Sequence, residues 1–96
     1  MMTQAPDIKP GNYYVSCRLD DGRTVCLAGP FRDDHAAALA LVDRAAIEAD
    51  KLDPRAPWYS YGTLRTDYTY DRPGLLNQAL GLPVTRQLER KETTDV

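Results

Sequence analysis

Between Asp33 and Leu52, in the stretch DDHAAALALVDRAAIEADKL, apolar positions recur with the period of an α-helix. At about 3.6 residues per turn, Ala38, Leu41, Val42, Ala45, Ala49 and Leu52 share one face. Leu39 and Ala46 widen one edge of that stripe, and Arg44, Glu48 and Lys51 fall opposite. Asp33 or Asp34 can cap the start, where a carboxylate meets the helix's partial positive charge. Pro54 stops it, because the residue before a proline is pushed out of helical geometry. The spacing predicts one long helix, with the rest of the chain arranged around it.

The pattern changes on either side. Residues 1 to 11 hold two prolines and a glycine and no period, which reads as a flexible arm. Asn12 to Leu19 and Arg23 to Ala28 are rich in residues that suit a pleated surface, with a turn at Asp20-Asp21-Gly22 between them. A two-residue loop would set Cys17 opposite Cys26 and scatter the apolar side chains over both faces. A three-residue loop with Gly22 in the left-handed conformation pairs Leu19 with Arg23, Cys17 with Val25 and Val15 with Leu27. That register gathers Tyr13, Val15, Cys17, Val25 and Leu27 on one face, and it places the two cysteines on opposite faces, unable to bond. Gly29-Pro30 is expected to end the second strand, with Phe31 packing back on the first helical turn.

After the helix, Asp53 to Pro57 is a tight linker and Trp58 to Thr66 reads as a third strand. Trp58 and Leu64 share one side of it, and Tyr59, Tyr61, Thr63 and Arg65 the other, with Gly62 a candidate bulge. Tyr68 and Tyr70 are a candidate extension. A break at 71 to 74 leads into a short helix over Leu75 to Leu80 that ends at Gly81. Residues 83 to 96 form a polar tail. The expected architecture is a single α+β domain over residues 12 to 82: strand-strand-helix-strand, a three-stranded antiparallel sheet in the order 2-1-3. The long helix covers one face, and a short C-terminal helix follows.

Composition narrows the function classes. The chain has 96 residues, 43% of them hydrophobic, enough for one small core. No apolar run approaches the roughly 20 residues that span a bilayer, and the start of the chain has no apolar leader segment. A cytoplasmic protein without a membrane partner is the expectation. Two cysteines and one histidine do not make a zinc ligand set, and the dispersed glycines make no phosphate-cradling loop. No metal, cofactor or catalytic residue is therefore assigned. The net charge of −2 gives no support to a general nucleic-acid binder. Its distribution is more telling. From Asp33 to Asp53 six acids face two bases, giving −4 and leaving +2 for the remainder.

Three places are left for chemistry. His35, beside Asp33 and Asp34, has the composition of a general base with a carboxylate to orient it, but no nucleophile is tied to it by motif. The uncovered sheet face is expected to carry Tyr14, Ser16, Arg18, Thr24 and Cys26, joined by Tyr59, Tyr61 and Arg65 from the third strand. Tyrosines flanked by arginines suit base stacking, the core of a protein interface or a homodimer, or packing beneath the C-terminal segment. Ile47 is the one large apolar residue on the outer side of the helix. With Asp43 and Asp50 beside it, it has the composition of a docking anchor.

Two resemblances add to this. Val25 to Ala38, VCLAGPFRDDHAAA, resembles the strand, GPF turn and helix of sporulation-related repeat (SPOR) domains, which implies a small sheet that binds peptidoglycan strands. The longer pattern of YYVS, AGPF, a helix ending in DP and then WYSYGT, over residues 13 to 66, is similar to small uncharacterised proteins carried by bacterial phages and plasmids. That second likeness implies a non-enzymatic protein from a mobile element that docks on a protein or ribonucleoprotein. An anti-CRISPR inhibitor, its acidic helix occupying a basic nucleic-acid groove, is the most concrete version. The alternatives are a small RNA-binding module using the tyrosine face and an enzyme centred on His35.

Overall fold

The computed structural model of the protein describes residues 5 to 84. Strands β1 (Asn12–Arg18), β2 (Thr24–Arg32) and β3 (Ser60–Thr66) form one antiparallel sheet in the order β2-β1-β3. This is the expected order. The hairpin turn is also the expected one. Arg18 pairs with Thr24 and Cys17 with Val25, the Leu19 amide donates to Arg23 O at 2.8 Å, and Gly22 sits at φ +90°.

Farther along, the β1–β2 ladder departs from the even alternation read in the sequence. Ser16 pairs with Cys26 but Val15 pairs with Ala28, so Leu27 is a bulged residue and not the partner of Val15. Nor does β2 stop at Gly29-Pro30. It absorbs that pair in a second irregularity, with a cis peptide between them, and resumes with Phe31 opposite Tyr13 and Arg32 opposite Asn12. Gly29 has φ +129°, and a Cβ there would lie 2.8 Å from Tyr13 O and from a ring carbon of Tyr14. Only glycine can make this passage. The pairing then continues past the strand end, where the Asp33 amide donates to Gly11 O at 2.7 Å.

The long helix is two segments, α1 (His35–Ala40) and α2 (Val42–Leu52), which meet at Leu41. There the Leu41 amide reaches back three residues to Ala38 O, a tighter turn than the α-helix makes. The break lets α1 lie over all three strands while α2 packs on β1 and β3. Asp34 is the cap: its Oδ1 accepts from the Ala37 amide at 3.1 Å. Asp33 is used elsewhere, accepting from the Gly11 amide at 2.9 Å and from the Tyr68 hydroxyl.

Of the expected helical stripe, Ala38, Ala45 and Ala49 are buried, and Leu41 and Val42 are half-buried against the core. Leu52 is the exception, 72% exposed at the last turn. The core joins these alanines to Tyr13, Val15, Cys17, Leu27, Ala56, Leu76 and Leu80. Small residues at the contact let the helices approach the sheet closely, and Tyr13 supplies the bulk.

β3 pairs with β1 without a slip, Cys17 opposite Tyr61 and Val15 opposite Thr63. The alternation of a strand therefore puts Tyr59, Tyr61, Thr63 and Arg65 on the helix side of the sheet. This corrects the expectation that Tyr59, Tyr61 and Arg65 join Tyr14 and Arg18 on the opposite face. Gly62 is not the bulge that would have revealed the switch.

The chain after β3 closes one edge of the molecule. Residues 67 to 73 cross the second sheet face, where Tyr70 meets Tyr14 edge to face at 5.5 Å between ring centres. The Tyr14 hydroxyl donates to Arg72 O at 2.8 Å, and Asn12 Nδ2 donates to Tyr70 O at 2.8 Å. Amides of Gly74, Leu75 and Leu76 then donate to Gly29 O, Cys26 O and Leu27 O at 3.1, 3.0 and 2.8 Å. This lays backbone along the outer edge of β2. Asn77, 1% exposed, donates to Gly29 O at 2.6 Å and to Pro83 O at 2.7 Å, and its Oδ1 accepts from the Gly29 amide at 3.0 Å.

The expected helix over Leu75 to Leu80 is a run of turns, with the Asn77 amide bonded to Gly74 O and the Leu80 amide shared between Leu76 O and Asn77 O. Its stop signal works as read. Gly81, at φ +76°, is followed by Leu82, whose amide returns to Asn77 O at 2.8 Å. The polar tail lies outside the described residues from position 85 onward.

Removing the Asn77 amide leaves the buried amide of Gly29 without a partner, a loss of about 2 to 4 kcal/mol. Asn77→Ala should melt roughly 10 °C or more below the parent, and Asn77→Asp should fail to rescue it, since a carboxylate cannot donate to Gly29 O. Thermal unfolding by circular dichroism reads both.

A second expectation concerns the helix face. Ala45→Asp buries an unpaired carboxylate and should destabilise by several kcal/mol. Arg44→Asp, on the exposed side, should shift stability by less than about 1 kcal/mol. Equal urea midpoints for the two variants would contradict the packing described.

Candidate functional site

The expected site residues fall into separate places. Asp43, Ile47 and Asp50, four and three residues apart on α2, share its outward side and are all exposed, Ile47 at 59%. Glu48 is held by Lys51 at 3.2 Å, whereas among the described residues neither Asp43 nor Asp50 has a hydrogen-bonded or ion-paired side chain. Beside Ile47 lies a groove of about 330 Å³, formed by Ala46, Ile47 and Asp50 on the helix, Ala56 and Pro57 from the 3-10 turn Ala56–Trp58, and Tyr61 from β3. Its shape comes from local chemistry. Pro54 ends α2, and the chain doubles back with Ala56 buried and Trp58 78% exposed. The Tyr61 hydroxyl fixes the turn by donating to Ala56 O at 2.9 Å. Burial and the nearby Cys17, Asp50 and Asp53 push the Tyr61 phenol up, so it stays a neutral donor.

Tyr59 is a brace at the C-terminal end of α2. Its hydroxyl donates to Asp53 Oδ2 at 2.7 Å, and Asp53 Oδ1 accepts the Arg55 amide at 2.9 Å. The Tyr59 bond, followed by the Arg55 amide, holds the Asp53 carboxyl below its usual range. In return the carboxylate, helped by burial, pushes Tyr59 up to about 12. Between this brace and the hairpin lies a second apolar groove of about 330 Å³, lined by Cys17, Leu19, Leu27, Leu52, Leu75 and Leu76 among others. The sequence reading missed it. Its one legible trace is Leu52, an apolar residue at the end of the stripe that is left exposed.

The tyrosine set is dispersed. Tyr14 is fully buried beneath Tyr70 and Arg72, the packing arrangement among the readings weighed for it. Arg18 stays exposed at the end of β1. Arg65 turns toward the arm, donating to Pro10 O at 3.1 Å, and its stem lies where a Cβ on Gly11 would fall. Among the described residues the structure therefore does not bring Tyr14, Arg18, Tyr59, Tyr61 and Arg65 together on the second face, and the tyrosine–arginine contact that does form is between Arg32 and Tyr68, 4.4 Å from the guanidinium to the ring centre.

His35 is 5% exposed, stacked on Tyr13 at 4.7 Å and 15°. Its Nδ1 accepts the Asp7 amide at 2.7 Å, so the proton sits on Nε2, which lies 2.7 Å from the Thr63 hydroxyl. Both nitrogens are occupied by structural partners, and neither Asp33 nor Asp34 is among them. Burial pushes both thiols up, Cys17 with a further push from Asp53, and both cysteines are free. A raised thiol is a poor nucleophile. Among the described residues no group of three or more His, Cys, Asp or Glu side chains is placed to hold a metal ion, and no helix is long and apolar enough to cross a membrane.

Comparison with protein-family models, with curated proteins and with solved structures found no match for this chain.

The Tyr59–Asp53 brace is measurable. The Tyr59 ring should ionise at about 12. In Asp53→Asn its ionisation should move down toward the ordinary tyrosine value of about 10. The Asp53 side of the pair is stabilising above the ordinary carboxylate pKa and is lost as pH falls through the depressed one. Tyrosine ring resonances followed by NMR across alkaline pH read the first effect.

Proposed function

We propose that this protein is a non-enzymatic binding protein that docks on a partner macromolecule through the outward side of α2. The observation that carries the reading is the combination of Ile47, an exposed apolar side chain at the lip of a groove, with Asp43 and Asp50, two carboxylates that no basic side chain engages among the described residues. An apolar anchor ringed by unneutralised charge has the layout of an interface hot spot with a steering rim. The segment's −4 charge adds a long-range term that draws a basic partner. The resemblance to phage- and plasmid-borne proteins makes an inhibitor of a host defence complex the concrete version. There the carboxylates stand where nucleic-acid phosphates would otherwise lie.

The test is capture of partners on the immobilised protein from its native host, with and without nuclease, compared with the double variant Asp43→Lys plus Asp50→Lys. A protein partner that survives nuclease should be held by the parent and lost by the variant, while the two melt alike. The loss should be steepest at low salt, where the Debye length exceeds about 10 Å. Equal capture by both proteins would refute the reading.

A further inference from the structure

The sheet has one closed edge and one open edge. Along β2 the outer edge is occupied by the Gly74–Leu76 backbone, as described. Along β3, among the described residues, the backbone pairs only with β1. Every second residue of β3 therefore presents its amide and carbonyl outward. Natural edges are usually blunted by lysine, proline or a bulge. β3, SYGTLRT, has none of these, and its single charge, Arg65, is turned back to Pro10 O. The groove beside Ile47 is bounded by this same strand, through Tyr61, on one side and by α2 on the other.

We infer that the β3 edge and the Ile47 groove are one site, which takes an extended segment of a partner protein as a fourth strand. The inference rests on the docking reading above and specifies the partner's form and chemistry. Backbone hydrogen bonds to β3 would supply affinity, and side chains on the helix side of the added strand would supply specificity. Those side chains recur every ~6.8 Å along a strand. Asp43, Ile47 and Asp50 are separated by rises of about 6 and 4.5 Å along α2. The flexible stems of basic side chains absorb the difference. The segment recognised is therefore basic, any, apolar, any, basic: an aliphatic residue in the groove with a lysine or arginine two positions away on each side. A second copy of this chain fits less well. Two α2 helices meeting across a two-fold axis would bring Asp43 and Asp50 of one copy near those of the other.

The probe is a synthetic peptide containing Lys-Thr-Val-Thr-Lys, which places valine between two lysines on one face of a strand, added to the ¹⁵N-labelled protein. Trp58, the single tryptophan and largely exposed beside the groove, serves as the fluorescence reporter. Binding should shift the amides of Tyr61 to Arg65 and of Asp43 to Asp50. Methylating alternate peptide nitrogens should weaken it at least tenfold, because the edge hydrogen bonds are then blocked. Asp50→Lys should weaken it at least tenfold, and the same peptide with glutamate in place of both lysines should not bind. Absence of binding would overturn the inference, as would shifts confined to the second sheet face. Concentration-dependent dimerisation with protection of the β3 amides would assign the edge to a second copy and overturn it likewise. Equal binding by the methylated peptide would remove the strand. If the native partner is still lost on double charge reversal, the helix then remains the docking surface.

Discussion

The backbone of Gly29 has to be answered by something other than the sheet, and Asn77 answers it. Where β2 slips against β1, the Gly29 amide and carbonyl leave the ladder inside the molecule. A buried, unpaired peptide group costs about as much as a lost hydrogen bond or more. The Asn77 side chain is an amide presented in the complementary orientation, so one residue satisfies both groups. The Gly29 amide needs an acceptor and its carbonyl a donor, which dictates which end of Asn77 is oxygen. From this contact the rest of the C-terminal segment follows. Gly74 can lie against β2 only because it has no side chain: a Cβ there would sit 2.5 Å from Ala28 N. Leu76 and Leu80 then enter the core from the flank, and Tyr70 and Arg72 roof Tyr14.

That closure makes the molecule one-sided. Residues 67 to 77 cover part of the second face and the β2 edge, while α1 and α2 cover the first face. What stays uncovered is concentrated around β3, the 3-10 turn and the outer side of α2. Ile47 and Trp58 are both exposed on this flank, while Ile8, Leu52 and Leu75 are exposed elsewhere. A small domain rarely leaves large apolar side chains and an unblunted strand together at one border without a use for them.

The sequence disclosed the elements that rest on local rules. Strand order, the three-residue hairpin turn, the Asp34 cap, the helical stripe through Ala38, Ala45 and Ala49, and the glycine stop at Gly81 all follow from periodicity, capping and turn chemistry. The outward side of α2 was legible for the same reason, since one helical wheel places Asp43, Ile47 and Asp50 together. Failures came where tertiary partners decide. Leu41 breaks the helix although its propensity is good, where α1, which lies over all three strands, gives way to α2, which packs on β1 and β3. β3 presents Tyr59 and Tyr61 to the helices because its register is set by β1, and a parity read within one strand cannot say which side faces in. The bulge at Leu27 and the passage through Gly29-Pro30 depend on Asn77, which lies 48 residues from Gly29. That Tyr14 could pack beneath the C-terminal segment was legible, but not that its hydroxyl would be met by Arg72 O. The Ile47 groove needs Pro57 and Tyr61 brought beside α2, and no spacing in the chain announces that.

His35 shows how far the folded unit reaches toward the start of the chain. Its ring is clamped between Tyr13, Thr63 and the Asp7 amide, and Lys9 O receives the Tyr13 hydroxyl at 2.6 Å. The stretch Asp7 to Gly11 has no regular secondary structure, yet it supplies a hydrogen-bonding wall to the deepest aromatic pair in the protein. The working boundary of the domain is therefore Asp7, five residues before the first strand. A truncation drawn at Asn12 by inspection of secondary structure would open the imidazole to water and uncover the floor of the core.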